Sequence, residues 1–351
     1  MKICMLGFPL SKMGGVMTFT KNLRYGFKQL GHTVGCYAIT LNKKTKPKNN
    51  DYGFNNVLGF ETNEWLKEYE KTVNEYDLII FIHQCPHLLK SYTSTNWEKC
   101  YSLIKNKPIL SWVHDGYYKK YYPWFKNIPL KYNVKIVCPS KHKYNAIKDL
   151  QGMKTIINLP IIFKNSGVYT EKKKNIVVDH NNWKSVKHKE LLLDYAKEIQ
   201  AKIISYGDET SFDFRRMKKF HQNFNSIIHK GWCGKKEIYE DLKTAKVFTD
   251  FAKYGNQGIW DYAIMEAIAH GCIPVMQSEV DKDNNIFYIK VNSHNQIPIA
   301  INKVLKNFKQ YKASIEKNLE LLKTLDPIKI AKEVIEYSKL QYKITKNHNW
   351  W

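Results

Sequence analysis

Apolar runs alternate with amphipathic segments along most of this chain. Residues 2–8 (KICMLGF) carry one lysine and are otherwise apolar or small, which predicts a buried first strand. Beyond a glycine turn, Phe19, Leu23, Phe27 and Leu30 recur at helical spacing, predicting a helix from about Thr18 to Leu30 that Gly31 closes. Further strands are predicted at 33–41, 77–83, 108–114 and 134–139, and the polar, basic stretch 42–56 reads as a loop. The last three strands are continuous rather than alternating, as parallel strands covered on both faces are. A second series begins near residue 174, with strands at 176–179, 201–206, 246–251 and 272–276. Its helices are predicted at 189–200, 236–245, 260–270, 296–307 and 327–343. Pro160 and Gly167 interrupt the pattern between the two series. The fold class is therefore α/β, with two doubly wound domains spanning about 1–160 and 172–326. Dehydrogenases, periplasmic binding proteins and nucleotide-sugar glycosyltransferases all share that outline.

Composition narrows the class. The 351 residues are 43% hydrophobic, enough for packed cores, which excludes a disordered basic tail. The formal net charge is +24, which favours a polyanionic partner, either nucleic acid or an anionic membrane face. Of the 56 basic residues only Arg24, Arg215 and Arg216 are arginine. AT-rich codons would explain lysine over arginine, but not the surplus over acids. Seven cysteines, an odd number without CxxC spacing, point to reduced thiols in the cytoplasm. No apolar run approaches the ~20 residues of a membrane span, and MKICMLGF reads as a strand rather than a signal peptide.

Three segments carry candidate chemistry. Gly14, Gly15 and Val16 follow the first strand, where glycines let a ligand approach and the next helix offers free N–H groups. The alternative is a plain tight turn, and this is not the GxGxxG of a dinucleotide site. Lys184 and Lys189 sit on a loop and at a helix start, where both charges can converge on a diphosphate, or else form a solvated basic turn. The third runs from Tyr254 through Gly255, Asn256, Gln257, Gly258 and Asp261 to Glu266 and then Gly271-Cys272-Ile273-Pro274-Val275. Glu266 lies among Ile264, Met265, Ala267 and Ile268, where a carboxylate costs free energy unless paired. His83, Cys85 and His87 would share one face of an extended strand end, but no fourth ligand is near, so no metal is assigned.

The order of glycine loop, basic pair, helical Glu and G-C-I-P-V resembles retaining GT-B glycosyltransferases of the glycogen-synthase-like branch. In that branch the basic pair binds the donor diphosphate and the Glu binds the donor ribose. Its first basic residue is usually Arg, where this chain has Lys184, and a second Glu usually stands where this chain has Gly258. The DNA α-glucosyltransferases of T-even-like bacteriophages are more similar. They lack the second Glu, carry an acid at the place of Asp261, and have a G-H-x-V turn like Gly31-His32-Thr33-Val34. Their apolar strand ending in His-Asp matches Val113-His114-Asp115.

The resemblance implies two Rossmann-like domains facing across a cleft, with the last helix, 327–351, packing back on the first domain. It implies retaining transfer of a sugar, glucose by default, from a UDP-sugar to 5-hydroxymethylcytosine in duplex phage DNA. The enzyme would be a cytoplasmic monomer in an infected host, with no membrane partner and no strict metal requirement. His114 and Asp115 would be catalytic. Gly14, Gly15, Val16, Lys184, Lys189, Tyr206, Gly207, Trp232, Gly255, Asn256, Gln257, Gly258, Asp261 and Glu266 would hold the donor. Lys119, Lys120, Tyr121, Tyr122, Trp124 and Lys126 interleave charge with aromatic faces, a pattern suited to phosphates and an extruded base. Two rivals stand beside this reading: the same fold acting on an envelope or capsular glycan, and a non-catalytic nucleic-acid-binding protein.

Overall fold

A computed structural model describes residues 1–7, 15–40, 56–59, 63–82, 99–114, 127–162, 173–180, 188–251, 262–277 and 286–340. The chain divides into two compact units, one of residues 1–162 with 325–351 and one of residues 163–324.

The first unit is built on strands β1 (Lys2–Gly7), β2 (Thr33–Thr40), β3 (Asn56–Gly59), β4 (Leu78–Phe81), β5 (Ile109–Trp112), β6 (Val134–Cys138) and β7 (Lys154–Ile156). They form one sheet in the order β3-β2-β1-β4-β5-β6-β7, and every pairing is parallel. β4, β5 and β6 are buried at every position, which is why they read as unbroken apolar runs. The order reverses between β1 and β4, the topological switch point of the sheet, beside whose carboxyl ends ligands of such folds bind. Helix α1 (Gly15–Gln29) follows β1 and buries Phe19, Leu23 and Phe27, each contributing ~1.5–3 kcal/mol by leaving water. It starts three residues before the predicted Thr18. Gly31 closes it at φ +78°, with the His32 N–H reaching back to the Phe27 carbonyl. The chain continues through α2 (Asn63–Asn74), α3 (Ile128–Lys131) and α4 (Lys141–Ala146).

The second unit repeats the plan with β8 (Lys174–Asp179), β9 (Lys202–Ser205), β10 (Ile228–His229), β11 (Ala245–Asp250), β12 (Ile273–Met276) and β13 (Ile289–Lys290). Its order is β10-β9-β8-β11-β12-β13, again all parallel, with the switch point between β8 and β11. The helices are α5 (Glu190–Asp194), α6 (Phe212–Phe220), α7 (Lys235–Thr244), α8 (Tyr262–Ala269), α9 (Gln296–Lys306) and α10 (Lys312–Lys323). Helix α11 (Pro327–Lys339) belongs to the first unit and packs on α1.

The helix predicted over 189–200 is shorter in the structure. Past Asp194 the N–H groups of Ala196 and Glu198 turn back three residues to Leu193 and Tyr195, so the α pattern tightens and stops. β3, α2, α6 and α10 were not expected from the hydrophobic pattern, and Asn56 lies in β3 rather than in the predicted loop. The six cysteines described are free thiols, five of them buried. Among the described residues no helix is long and apolar enough to cross a membrane.

Candidate active site

The carboxyl ends of the second sheet gather several of its buried ionic groups. β8 ends in Asp179 and is followed by His180, β9 ends in Ser205 and is followed by Tyr206, and α8 brings Glu266 to the same end. Glu266 is only 3% exposed. Its carboxylate oxygens accept from the Lys235 ammonium at 2.5 and 2.6 Å, and Oε1 accepts from the Tyr239 hydroxyl at 3.3 Å. His180 Nε2 lies 3.5 Å from Oε2. The pairing that burial demanded is thus supplied within the protein, by a lysine 31 residues away in sequence. Burial, reinforced by the Glu266 charge, raises the Tyr239 hydroxyl well above the usual phenol range, so it stays a donor.

Lys235 and Tyr239 both belong to α7, four positions apart, so they share one face. Gly234 caps that helix. Neither residue stood out in the sequence, although a lysine at a helix start after Gly231 and Gly234 is a signal for an anion site. Part of the Lys235 side chain reaches solvent, so its ammonium has room for one further acceptor.

Lys189 is deeply buried. Its ammonium donates to the Tyr206 carbonyl at 2.6 Å and to Ser205 Oγ at 3.3 Å, and lies 3.4 Å from Asp179 Oδ1. It ties the ends of β8 and β9 together. His188 before it has a φ of +47°, which turns the chain into α5. Lys184, its expected partner, lies outside the described residues.

The two turns singled out around Gly207 and Trp232 are neighbours. The Gly207 N–H donates to the Gly231 carbonyl at 3.0 Å, and the Lys230 N–H donates to the Ser205 carbonyl at 2.9 Å. Gly207 and Gly231 have φ of +130° and +64°, conformations that favour glycine. Trp232 is exposed beside them. The Tyr206 hydroxyl donates to Asp241, which also receives the Lys230 ammonium at 2.6 Å. Underneath, burial pushes the His229 imidazole down to about 4, with Lys189 and Lys218 lowering it further.

In the first unit, α1 begins at Gly15, and the Val16 carbonyl accepts from Thr20 Oγ1 at 2.8 Å. His114 lies past the end of β5 with its ring edge-on to Phe19, centroids 4.6 Å apart. So Gly15 and Val16 at the start of α1 and His114 beyond β5 all stand at the carboxyl end of the first sheet. Gly14, Asp115, Gly255, Asn256, Gln257, Gly258, Asp261, the proposed DNA contacts Lys119, Lys120, Tyr121, Tyr122, Trp124 and Lys126, and the His83–His87 stretch lie outside the described residues. Among those described, no three His, Cys, Asp or Glu residues are grouped as a metal site.

Two Rossmann-type sheets in one chain, each with its switch point at the carboxyl ends, match solved structures along their whole length. An Anabaena protein, Alr3699/HepE, solved with UDP and glucose, has a TM-score of 0.73 at 15% identity, covering 96% of this chain and 99% of that one. The chain has the GT-B fold. An α-glucosyltransferase solved with UDP-glucose and DNA containing an abasic site matches at TM-score 0.70 and 15% identity, over 97% of this chain and 99% of its own. The lipopolysaccharide outer core galactosyltransferase WaaB matches at 0.68 and 14%, over 97% and 100%. No protein-family model and no curated protein matches the sequence. In GT-B terms, Glu266, Lys235, Lys189 and the Gly207–Gly231 turns all stand in the second Rossmann unit, and His114 in the first.

Proposed function

We propose that this protein is a retaining glycosyltransferase moving a hexose, glucose by default, from a UDP-sugar to the hydroxymethyl group of 5-hydroxymethylcytosine in duplex DNA. The observation that carries the donor half is the Glu266 carboxylate, buried at the switch point of a Rossmann sheet and gripped by Lys235 and Tyr239. A ribose diol donates to that carboxylate, while the solvent-reaching Lys235 ammonium and Lys184 neutralise the diphosphate. Lys189 adds its charge from the strand ends, and the N-terminus of α8 favours the same anion. The uracil rests against the Tyr206-Gly207 and Gly231-Trp232 turns.

At the acceptor, the target base leaves the stack to expose its hydroxyl. The bond from the sugar anomeric carbon to the phosphate oxygen breaks, and a bond to the hydroxymethyl oxygen forms on the same face. The departing phosphate takes the hydroxyl proton, so Asp115 and His114 act by positioning the acceptor and stabilising the developing positive charge. No step requires a divalent ion. The net charge of +24 and the basic, aromatic residues 117–126 support DNA as the acceptor. An envelope glycan is the second reading, and WaaB, itself a lipopolysaccharide galactosyltransferase, has the same fold.

The test is mass spectrometry of nucleosides after incubating hydroxymethylcytosine DNA with a panel of UDP-sugars. Addition of one hexose mass is expected, with Glu266→Gln lowering kcat/KM by about 10–100-fold through lost charged hydrogen bonds to ribose. DNA left unmodified by the whole panel would transfer the proposal to a glycan acceptor.

A further inference from the structure

Helix α6 is held to the second unit by Phe214 and Met217 on one face. Ser211 caps its start by accepting from the Phe214 N–H, Asp213 lies in its first turn, and Lys218 and Lys219 lie in its last. Phe214 is buried, edge-on to Phe224 at 5.5 Å and against His229 at 4.4 Å. Met217, one turn on, is half-buried against the same core, and the opposite face of the helix looks outward. Phe212 and Phe220 are each 72% exposed, more than any other large hydrophobic side chain described. At about 100° per residue, Phe212, Arg216 and Lys219 fall in one narrow stripe, with Arg215 and Phe220 on its margins. Both arginines are exposed, and no described carboxylate pairs with either.

The choice of arginine is informative. This chain uses lysine at all but three of its 56 basic positions, and two of the three exceptions are adjacent here. A guanidinium grips a phosphate through two parallel N–H donors, whereas an ammonium offers a point charge. A bias toward lysine across the chain, broken twice on one exposed face, marks a place where fork geometry matters.

We propose that the outward face of α6 binds a phosphodiester strand of nucleic acid. Arg215, Arg216 and Lys219 take neighbouring backbone phosphates, and Phe212 and Phe220 pack on the sugars or bases at either side. The layout favours a strand over a membrane. The cations lie between the two phenyl rings, which stand about 12 Å apart along the axis, so both rings cannot enter an acyl layer without drawing the charges in with them. A strand crossing the helix meets the charges at its centre. The face extends the proposed DNA reading and uses no donor residue, and backbone phosphates are the same whether or not a base is hydroxymethylated.

The experiment measures binding of the full-length protein to a short unmodified duplex by fluorescence anisotropy across a salt series. UDP affinity by calorimetry serves as the control for folding. The variant R215Q/R216Q/K219Q is expected to bind DNA more weakly, with the slope of log affinity against log salt shallower by about 3, and with UDP affinity unchanged. F212S/F220S is expected to weaken DNA binding at an unchanged slope. Wild-type protein that fails to bind the duplex, or a triple variant with the wild-type slope, overturns the proposal. So does a triple variant that keeps its DNA binding but loses binding to phosphatidylglycerol vesicles. A shallower slope together with no sugar transfer to any DNA would keep this surface and refute the acceptor chemistry.

Discussion

Glu266 shows how far a single residue carries the reading. Its burial follows from its neighbours in sequence, because a carboxylate flanked by Ile264, Met265, Ala267 and Ile268 has no open side on a helix. What answers its charge does not follow, because Lys235 and Tyr239 come from a different helix. His229 makes a prediction of the same kind. The unfolded chain protonates it near 6.5, whereas burial holds it near 4 in the folded protein. Between those values the unfolded state binds more protons, so the stability His229 contributes is full above pH 6.5 and is lost as pH falls toward 4. Urea midpoints measured across that window should decline less steeply for His229→Gln than for the wild type. An identical slope would mean that the ring is not withheld from protons.

Among elements, α1 and α11 approach closely at Gly26. A Cβ added at Gly26 would sit 2.0 Å from the Pro327 carbonyl oxygen and 2.6 Å from its carbon. Those are backbone atoms and cannot swing aside. Gly26→Ala gains ~1 kcal/mol of helix propensity but forces the two helices apart, which costs about 1–3 kcal/mol or more. The net expectation is a lower Tm by calorimetry, and a raised Tm would show that the helices separate freely. Elements with strong periodicity were legible: α1, β4 to β6, α8 and α9 lie within a few residues of their predicted positions. α6 was not, because the inward Phe214 and Met217 are matched by Phe212 and Phe220 on the exposed side, which blurs any apolar stripe. β10 and β13 span two residues each, too short to show any period.

At the scale of the molecule, α11 completes a unit whose other residues ended at 162. Its Pro327, Ile330, Ala331 and Val334 are buried, the Tyr337 hydroxyl donates to the Ile136 carbonyl at 3.3 Å, and the Lys135 ammonium reaches the Ser338 carbonyl. A chain ending at Thr324 uncovers the α11-facing side of α1 and leaves Lys135 without that acceptor. Limited proteolysis should then cut within residues 1–162 at protease concentrations that spare the full-length protein, while 163–324 survives longer. Equal resistance of the first unit with and without α11 would refute that dependence.

The sequence by itself determined the two α/β series, the closing glycine at 31, and the buried carboxylate on α8. All of these rest on contacts within a few residues, where periodicity and backbone conformation decide. Only the tertiary structure decided that Lys235 and Tyr239 clamp Glu266, that Lys189 ties β8 to β9, and that Arg215 and Arg216 face outward between two exposed rings. Those facts depend on which distant segments the sheet order brings together, and no local pattern in the chain encodes that order.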